Sequence, residues 1–230
     1  MIKLVPSVAC ADCLNLEKDI LEMERAKVDI YHIDIMDGHY VPNLCLNFDI
    51  VKQIKNITDT PIDVHLMVEN PEEYVDLLAQ LGVEYICFHN ETTRFHIKLI
   101  QKIKSYGIKV GVALNPATKI DILTHYIDMV DYVHVMTVEP GFSGQTFIEE
   151  MYKKIEELSE WREKNNLEFA IEVDGGIDLN NGKECVKRGA NYFVGGVFCI
   201  FNQEIGIYEA CKQFKKELEG VEYVKSKANQ

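Results

Sequence analysis

Short apolar runs alternate with amphipathic stretches along the whole chain. The runs are "IKLVPSV", "DIYHIDIM", "IDVHLMV", "YICFHN", "KVGVALN", "YVHVMTV", "FAIEVDG" and "YFVGGVF". Each is short and rich in β-branched or aromatic residues, so each predicts a buried strand. Between them "NLEKDILEMERAK", "PEEYVDLLAQLG", "RFHIKLIQKIKSYG", "DILTHYIDMV", "IEEMYKKIEELSEWREKNN" and "NGKECVKRGA" repeat apolar residues at helical spacing. Asn70-Pro71 opens one of these, and Gly82 and Gly107 close others. Strands alternating with helices make a parallel sheet, and eight such units in 230 residues predict an α/β fold, a single (β/α)8 TIM barrel. A doubly wound sheet would usually hold fewer strands at this length. No linker or low-complexity stretch divides the chain, so 1–222 reads as one barrel domain and 223–230 as a loose C-terminal tail.

A barrel gathers its chemistry at the C-terminal ends of its strands. The first strand ends near Ser7, and the second carries His32, Asp34 and Met36. The third carries His65 and Met67, the fourth ends at His89 and the fifth at Asn115. The sixth ends at Met136, the seventh at Asp174, the eighth at Gly195-Gly196. Side chains two apart share a face of a strand. His32, Asp34 and Met36 therefore point one way, as do Asp63, His65 and Met67, and as do Glu172 and Asp174. If those faces turn inward, His32, Asp34, His65 and Asp174 converge near the barrel mouth. Asp34 lies among Ile33, Ile35 and other apolar residues, and a carboxylate in such a setting needs a compensating partner. Two imidazoles with two carboxylates suit a divalent cation such as Zn²⁺, Mn²⁺, Fe²⁺ or Co²⁺. Asp63 and Glu172, one step deeper, are expected to orient the histidines or neutralise a neighbour. Asp37 reads as a cap for the turn at Gly38. His125 reads as a satisfied core histidine and His96 as a solvated helical one, while His134 stays unassigned.

Composition narrows the partners. A net charge of −13 argues against nucleic acid and against an anionic membrane surface. It leaves room for a small anionic substrate held locally by backbone N–H groups. "MIKLVPSVACADC" lacks the features of a signal peptide, and no apolar run reaches membrane-spanning length, so a soluble, cytoplasmic protein is expected. The seven cysteines are scattered. Cys10 and Cys13 have CxxC spacing but no second pair to complete a zinc site, and reduced cysteines are the simpler reading.

"HIDIMDGHYVPN", "DVHLMV", "VMTVEPGFSGQTFI" and "IEVDGG" together resemble, in order, the most specific blocks of the ribulose-phosphate 3-epimerase family, and the resemblance covers nearly the whole chain. It implies an isomerase that inverts C3 of ketose phosphates with one divalent metal ion per chain (Zn, Mn, Fe, Co or Mg). By resemblance the metal ligands are His32, Asp34, His65 and Asp174, the set that strand parity gives. Ser7, the loop Gly141-Phe142-Ser143-Gly144, Gly175-Gly176 and the Gly196-Val197 step match substrate contacts, with His65 beside them. Met36, Met67 and Met136 would form an apolar wall. A homo-oligomer, dimer or hexamer, is expected as well.

The chemistry explains the parts. Inverting a carbon beside a carbonyl requires a proton to leave one face and another to arrive on the opposite face. Asp34 and Asp174 are expected to trade those roles as base and acid. The glycine pairs in "DGGI" and "VGGV" stand where such barrels bind phosphate, and "EPGFSGQTF" reads as a lid. The chain departs from the family at Gly196-Val197-Phe198, where Gly-Ser and a small residue are usual, and "GGVFCIFN" is one residue longer than common. With "MTVEPGF" and "EWREKNNLEF", that length slightly favours the allulose-6-phosphate 3-epimerase branch over ribulose 5-phosphate. A barrel decarboxylase or hexulose-phosphate synthase would carry Asp-x-Lys-x-x-Asp where this chain has "DVHLMV". A non-catalytic sugar-phosphate sensor would not need Asp174 opposite Asp34.

Overall fold

Eight parallel strands curl until the first meets the second. The computed structural model describes residues 1–223. The chain lays down β1 (Lys3–Pro6), β2 (Tyr31–Asp37), the two-residue β3 (Leu44–Cys45), β4 (Ile62–Met67) and β5 (Tyr85–His89). It continues with β6 (Lys109–Leu114), β7 (Tyr132–Met136), β8 (Ala170–Asp174) and β9 (Tyr192–Gly195). Hydrogen bonding runs β1-β9-β8-β7-β6-β5-β4-β2, with β3 added antiparallel on the end of β2. One isolated parallel bridge, Ser7 to His32, closes the ring between β1 and β2. The barrel expected from the alternation is present. The eight runs fall on its eight strands, and only β3 has no counterpart in the pattern.

The outward side chains of the strands, among them Ile33, Ile35, Val64, Leu66, Val133, Val135 and Val173, form one continuous core with the surrounding helices. Those helices are α1 (Leu16–Ala26), α2 (Phe48–Lys55), α3 (Val75–Leu81), α4 (His96–Ser105), α5 (Met151–Lys164), α6 (Leu179–Lys187) and α7 (Ile207–Glu219). The stretch "DILTHYIDMV" departs from expectation: it makes two short 3-10 turns, Ile120–Leu123 and Ile127–Met129. There Thr124 Oγ1 donates to the Asp121 carbonyl at 2.6 Å, a local bond that competes with helix continuation. His125 lies exposed on these turns rather than in the core, because the turns replace the helical face that would have buried it. His96 opens α4, but its Nε2–H donates to the Asn90 carbonyl at 2.8 Å and its ring stacks on Tyr126, so it is half-buried rather than solvated. Of the expected tail only Tyr223 is among the described residues. Tyr223 pairs with Ser159 Oγ at 2.9 Å and donates to Glu163 at 2.6 Å. The remainder, 224–230, lies outside the described residues.

Inside the ring a second cluster fills the lower barrel: Val5, Ile30, Tyr85, Cys87, Ala113 and Tyr132. Tyr132 reaches across its register partner Gly111 and donates its hydroxyl to Asp63. A methyl group on Gly111 would sit 2.2 Å from the Tyr132 ring. Gly111→Ala should therefore destabilise the fold by about 1–3 kcal/mol, the usual cost of overpacking. The midpoint of urea unfolding, with an unchanged slope, measures this; an unshifted midpoint would show that Tyr132 can move at no cost.

Candidate active site

Strand register brings the inward polar residues to one level. Asp34 on β2 is paired with His65 on β4, and Met36 with Met67. On the far side Met136 of β7 is paired with Asp174 of β8, and His134 with Glu172. The parity reading holds: His32, Asp34, His65 and Asp174 come together at the C-terminal end. Asp34 Oδ1 lies 3.3 Å from His32 Nε2 and 3.2 Å from His65 Nδ1. Asp174 Oδ2 lies 3.9 Å from each of the same nitrogens. The partner of Asp34 is thus this pair of imidazoles, together with Ser7, whose Oγ donates to Asp34 Oδ2 at 2.6 Å.

Beneath this layer lie the carboxylates that orient it. His32 Nδ1–H donates to Asp63 Oδ2 at 2.9 Å, as expected of Asp63. Glu172 instead accepts from His134 Nδ1–H at 2.9 Å, and His134 Nε2 stands 3.3 Å from Asp174 Oδ2. Asp37 caps its turn, accepting from the backbone N–H groups of His39 at 2.8 Å and Tyr40 at 3.0 Å. It also ties the end of β4 through Glu69 N at 2.9 Å.

The charges in this cluster are strongly perturbed. Burial disfavours charge on Asp34, but His32 and His65 outweigh it and hold the carboxyl well below its ordinary range. Burial likewise opposes charge on His32, and Asp34 and Asp63 overcome it, holding this imidazole well above its usual value. His65 goes the other way, pulled down to about 3 by burial and by the neighbouring His134. Burial opposes charge on His134 too, but Asp174 and Glu172 push it up to about 9. Burial and the nearby Asp63 raise Glu172, against the pull of His134.

The donor set fits a divalent cation. His32 Nε2 is buried without a hydrogen-bond partner although two carboxylates stand close by. Ligand atoms about 2.0–2.2 Å from a common ion lie roughly 3 Å or slightly more apart, and the donors here are spaced 3.2–3.9 Å. His32, His65, His134 and Asp174 each offer an atom within 4.8 Å of the others.

Above the cluster opens a cavity lined by Ser7, Asp34, Met36, Met67, Met136 and Asp174. Gly141, Phe142, Ser143 and Gly144 form its roof, and Gly175, Gly176, Gly196 and Val197 its far end. Every expected substrate contact except His65 lines this space, and His65 is fully buried in its floor. The roof is tied down by Asn43 Nδ2, which donates to the Gly141 carbonyl at 2.8 Å, while half of Phe142 stays exposed. The glycine pair after β8 has a geometric cause. Gly175 has φ +115°, and a Cβ there would stand 2.3 Å from Val138, while one on Gly176 would stand 2.5 Å from the Phe147 backbone nitrogen.

The match to known proteins now bears directly on this arrangement. Residues 3–200 match the model of the ribulose-phosphate 3 epimerase family. The chain belongs to that family. It is accordingly an isomerase by class. The ribulose-phosphate 3-epimerase of Methanocaldococcus jannaschii is 44% identical over 194 residues, 84% of this chain and 82% of that protein. The Bacillus subtilis enzyme of the same name is 41% identical over 197 residues, 85% of this chain and 91% of its own length. The Escherichia coli K12 enzyme is 38% identical over 201 residues, 87% and 89% of the two chains. Among solved structures, KGPDC from Streptococcus mutans superposes with a TM-score of 0.73 at 15% identity, covering 96% of this chain and 98% of that one. That likeness is one of fold.

The departure from the family blocks at Val197 has a structural form. Val197–Phe201 winds as a π-turn, in which the Gly196 carbonyl accepts from Ile200 N at 3.0 Å and Phe201 N at 3.4 Å. A π-turn is how a helix takes up one extra residue, the form that the length expected of "GGVFCIFN" would take. Cys10 packs beside it, 3.4 Å from where a Gly196 Cβ would stand. Burial pushes the Cys10 thiol up to about 11, so it is unionised at neutral pH. Cys13 is exposed, and both are free cysteines.

One chain of contacts was not foreseen. His65 Nε2 meets His89 Nε2 at 2.9 Å, and His89 Nδ1 meets the Tyr40 hydroxyl at 2.9 Å. That hydroxyl accepts from Asn115 Nδ2 at 2.8 Å. His89 and Asn115 were legible only as strand ends. The shared parity of Cys87 and His89 places His89 inside the ring and was a usable signal; nothing in the sequence marked Tyr40, which arrives from a loop.

Proposed function

We propose that this protein is a metal-dependent ketose-phosphate 3-epimerase that interconverts D-ribulose 5-phosphate and D-xylulose 5-phosphate. The carrying observation is the convergence of Asp34 and Asp174 on the same two imidazole nitrogens from strands well apart around the ring. A C3 inversion requires two proton-transfer groups on opposite faces of the substrate. Asp34, steadied by Ser7, serves one face and Asp174 the other. Which of them acts as base depends on the direction of reaction. His32, Asp34, His65 and Asp174 would hold a divalent cation, which would supply positive charge against the negative charge that develops on the substrate. Met36, Met67 and Met136 line the wall with groups that neither donate nor accept the migrating proton. The glycine turns after β8 and β9 offer backbone N–H groups to the phosphate, and the Gly141–Gly144 roof shields the reaction from water.

The sequence favoured allulose 6-phosphate slightly. The relatives bear the pentose-phosphate name at 38–44% identity, and this supports ribulose 5-phosphate instead. One added carbon lengthens the span between carbonyl and phosphate by a little over about 1 Å, enough to matter where a comparable misplacement costs about 10² in rate. Both substrates should be offered together in deuterated solvent. Ribulose 5-phosphate should gain deuterium at C3 with the higher kcat/KM. A preference for allulose 6-phosphate would move the protein to the hexulose branch, and no C3 exchange with either would remove the epimerase reading.

A further inference from the structure

The geometry points to His134 as a further donor to the cation site, so that three imidazoles and two carboxylates hold one ion. This rests on the reading that His32, Asp34, His65 and Asp174 bind a cation. His134 repeats the arrangement of His32 in every detail that matters. Both rings are fully buried. Each gives its Nδ1–H to a buried carboxylate at 2.9 Å, Asp63 for one and Glu172 for the other. Each leaves Nε2 without a hydrogen-bond partner, and among the described residues Asn115 Oδ1 is the one other buried side-chain atom so left. The two rings are nearly parallel, 10° apart, with centroids 5.5 Å from each other. His134 also lies 4.5 Å from the His65 ring, centroid to centroid.

His134 Nε2 stands 3.3 Å from Asp174 Oδ2 and His32 Nε2 3.3 Å from Asp34 Oδ1, attractive contacts without hydrogen-bond geometry, so part of the desolvation cost of each buried nitrogen is left uncompensated. Two such atoms within 4.8 Å of each other call for a shared partner. A carboxylate behind Nδ1 holds the proton on that nitrogen, so an incoming ion that displaces the Nε2 proton meets the lone pair there on a ring of raised basicity. That lone pair faces the space bounded by His32, His65 and Asp174, where all four donor atoms lie within 4.8 Å of one another. A third imidazole also shifts the donor set toward nitrogen. Borderline ions such as Zn²⁺ and Co²⁺ then gain over hard ions such as Mg²⁺ and Mn²⁺.

The test uses the full chain loaded with Co²⁺. Each coordinated imidazole keeps one ring N–H, which gives a strongly shifted proton signal that disappears in D₂O. Three such signals are expected, and two would overturn the assignment of His134 while leaving the cation site in place. His134→Gln should weaken Co²⁺ binding at least about tenfold, the lower end of what even an indirect contact to a metal costs, read by competition with a chromophoric chelator. The exposed His125→Gln serves as control and should bind as the parent does. An unchanged affinity in folded His134→Gln also overturns the proposal. If that variant does not fold because Glu172 is left without its partner, the signal count on the unaltered chain decides. Failure of the unaltered chain to bind Co²⁺ at all would sink the cation reading itself, and this inference with it.

Discussion

Replacing Asp174 by Asn should lower epimerisation by about 10² to 10⁴, the range associated with loss of a positioned acid–base group. The substitution keeps the shape of the side chain and one oxygen near His32, His65 and His134, from which Asp174 now stands 3.9, 3.9 and 3.3 Å. It removes the capacity to take a proton. Asp34 remains, steadied by Ser7 at 2.6 Å. The variant should therefore still exchange the C3 proton of the one epimer whose hydrogen faces Asp34, returning it labelled but not inverted. Turnover and deuterium content, measured on protein of known metal content, separate the two effects. Near-normal inversion by a folded, metal-loaded Asp174→Asn enzyme would sink the two-carboxylate assignment.

Stripping divalent ions with a chelator should take activity to background, and Zn²⁺, Mn²⁺ or Co²⁺ should restore it. Elemental analysis of the active protein should find one ion per chain, and full activity without stoichiometric metal would refute the cation site. The pH dependence of binding follows from the histidines. Asp34 and Asp63 hold the His32 pKa well above its usual value in the ion-free protein, so an incoming ion must displace a proton there. Ion affinity should fall as pH falls. His65, pulled down to about 3 by burial and His134, is an uncharged imidazole near neutrality and adds nothing to that slope. Titrations of Co²⁺ affinity across pH 5 to 8 (a window set by where histidine ordinarily titrates) measure this. A flat profile would argue that His32 is not among the ligands.

Much of the site was readable before any coordinates because barrels impose strict parity on inward side chains. His32, Asp34 and Met36 on one strand, with Asp63, His65 and Met67 on its neighbour, already give the depth of each residue. Parity gives the face of a deep residue but not which side chain on the neighbouring strand it binds. Glu172 therefore reads as a support for the expected ligands, and it accepts from His134. Tyr40 escaped because a loop residue has no register to read. The turns at 120–129 were misread as helix because their apolar spacing mimics helical periodicity, while Thr124 and Asp121 redirect the backbone. The resemblance suggests added length in "GGVFCIFN", but nothing in the residue pattern shows that Val197–Phe201 winds as a π-turn.

The closing bridge between Ser7 and His32 has a consequence for how the protein comes into being. β1 finds its register against β9, Lys3 to Tyr192 and Pro6 to Gly195, almost the whole chain away. The far end of the polypeptide must be synthesised before the first strand can take its place. Contacts so distant in sequence carry a large loop-closure cost and form late. Ser7 N–H donates to the Gly195 carbonyl across that seam at 2.9 Å, so the residue that steadies Asp34 takes its final place as the ring shuts. An ion bound across the finished mouth would favour the closed ring over any open intermediate, in proportion to its concentration over its dissociation constant. Nascent chains short of β9 would then be inert, and ion supply would govern how much newly made protein stays folded as well as how fast it turns over.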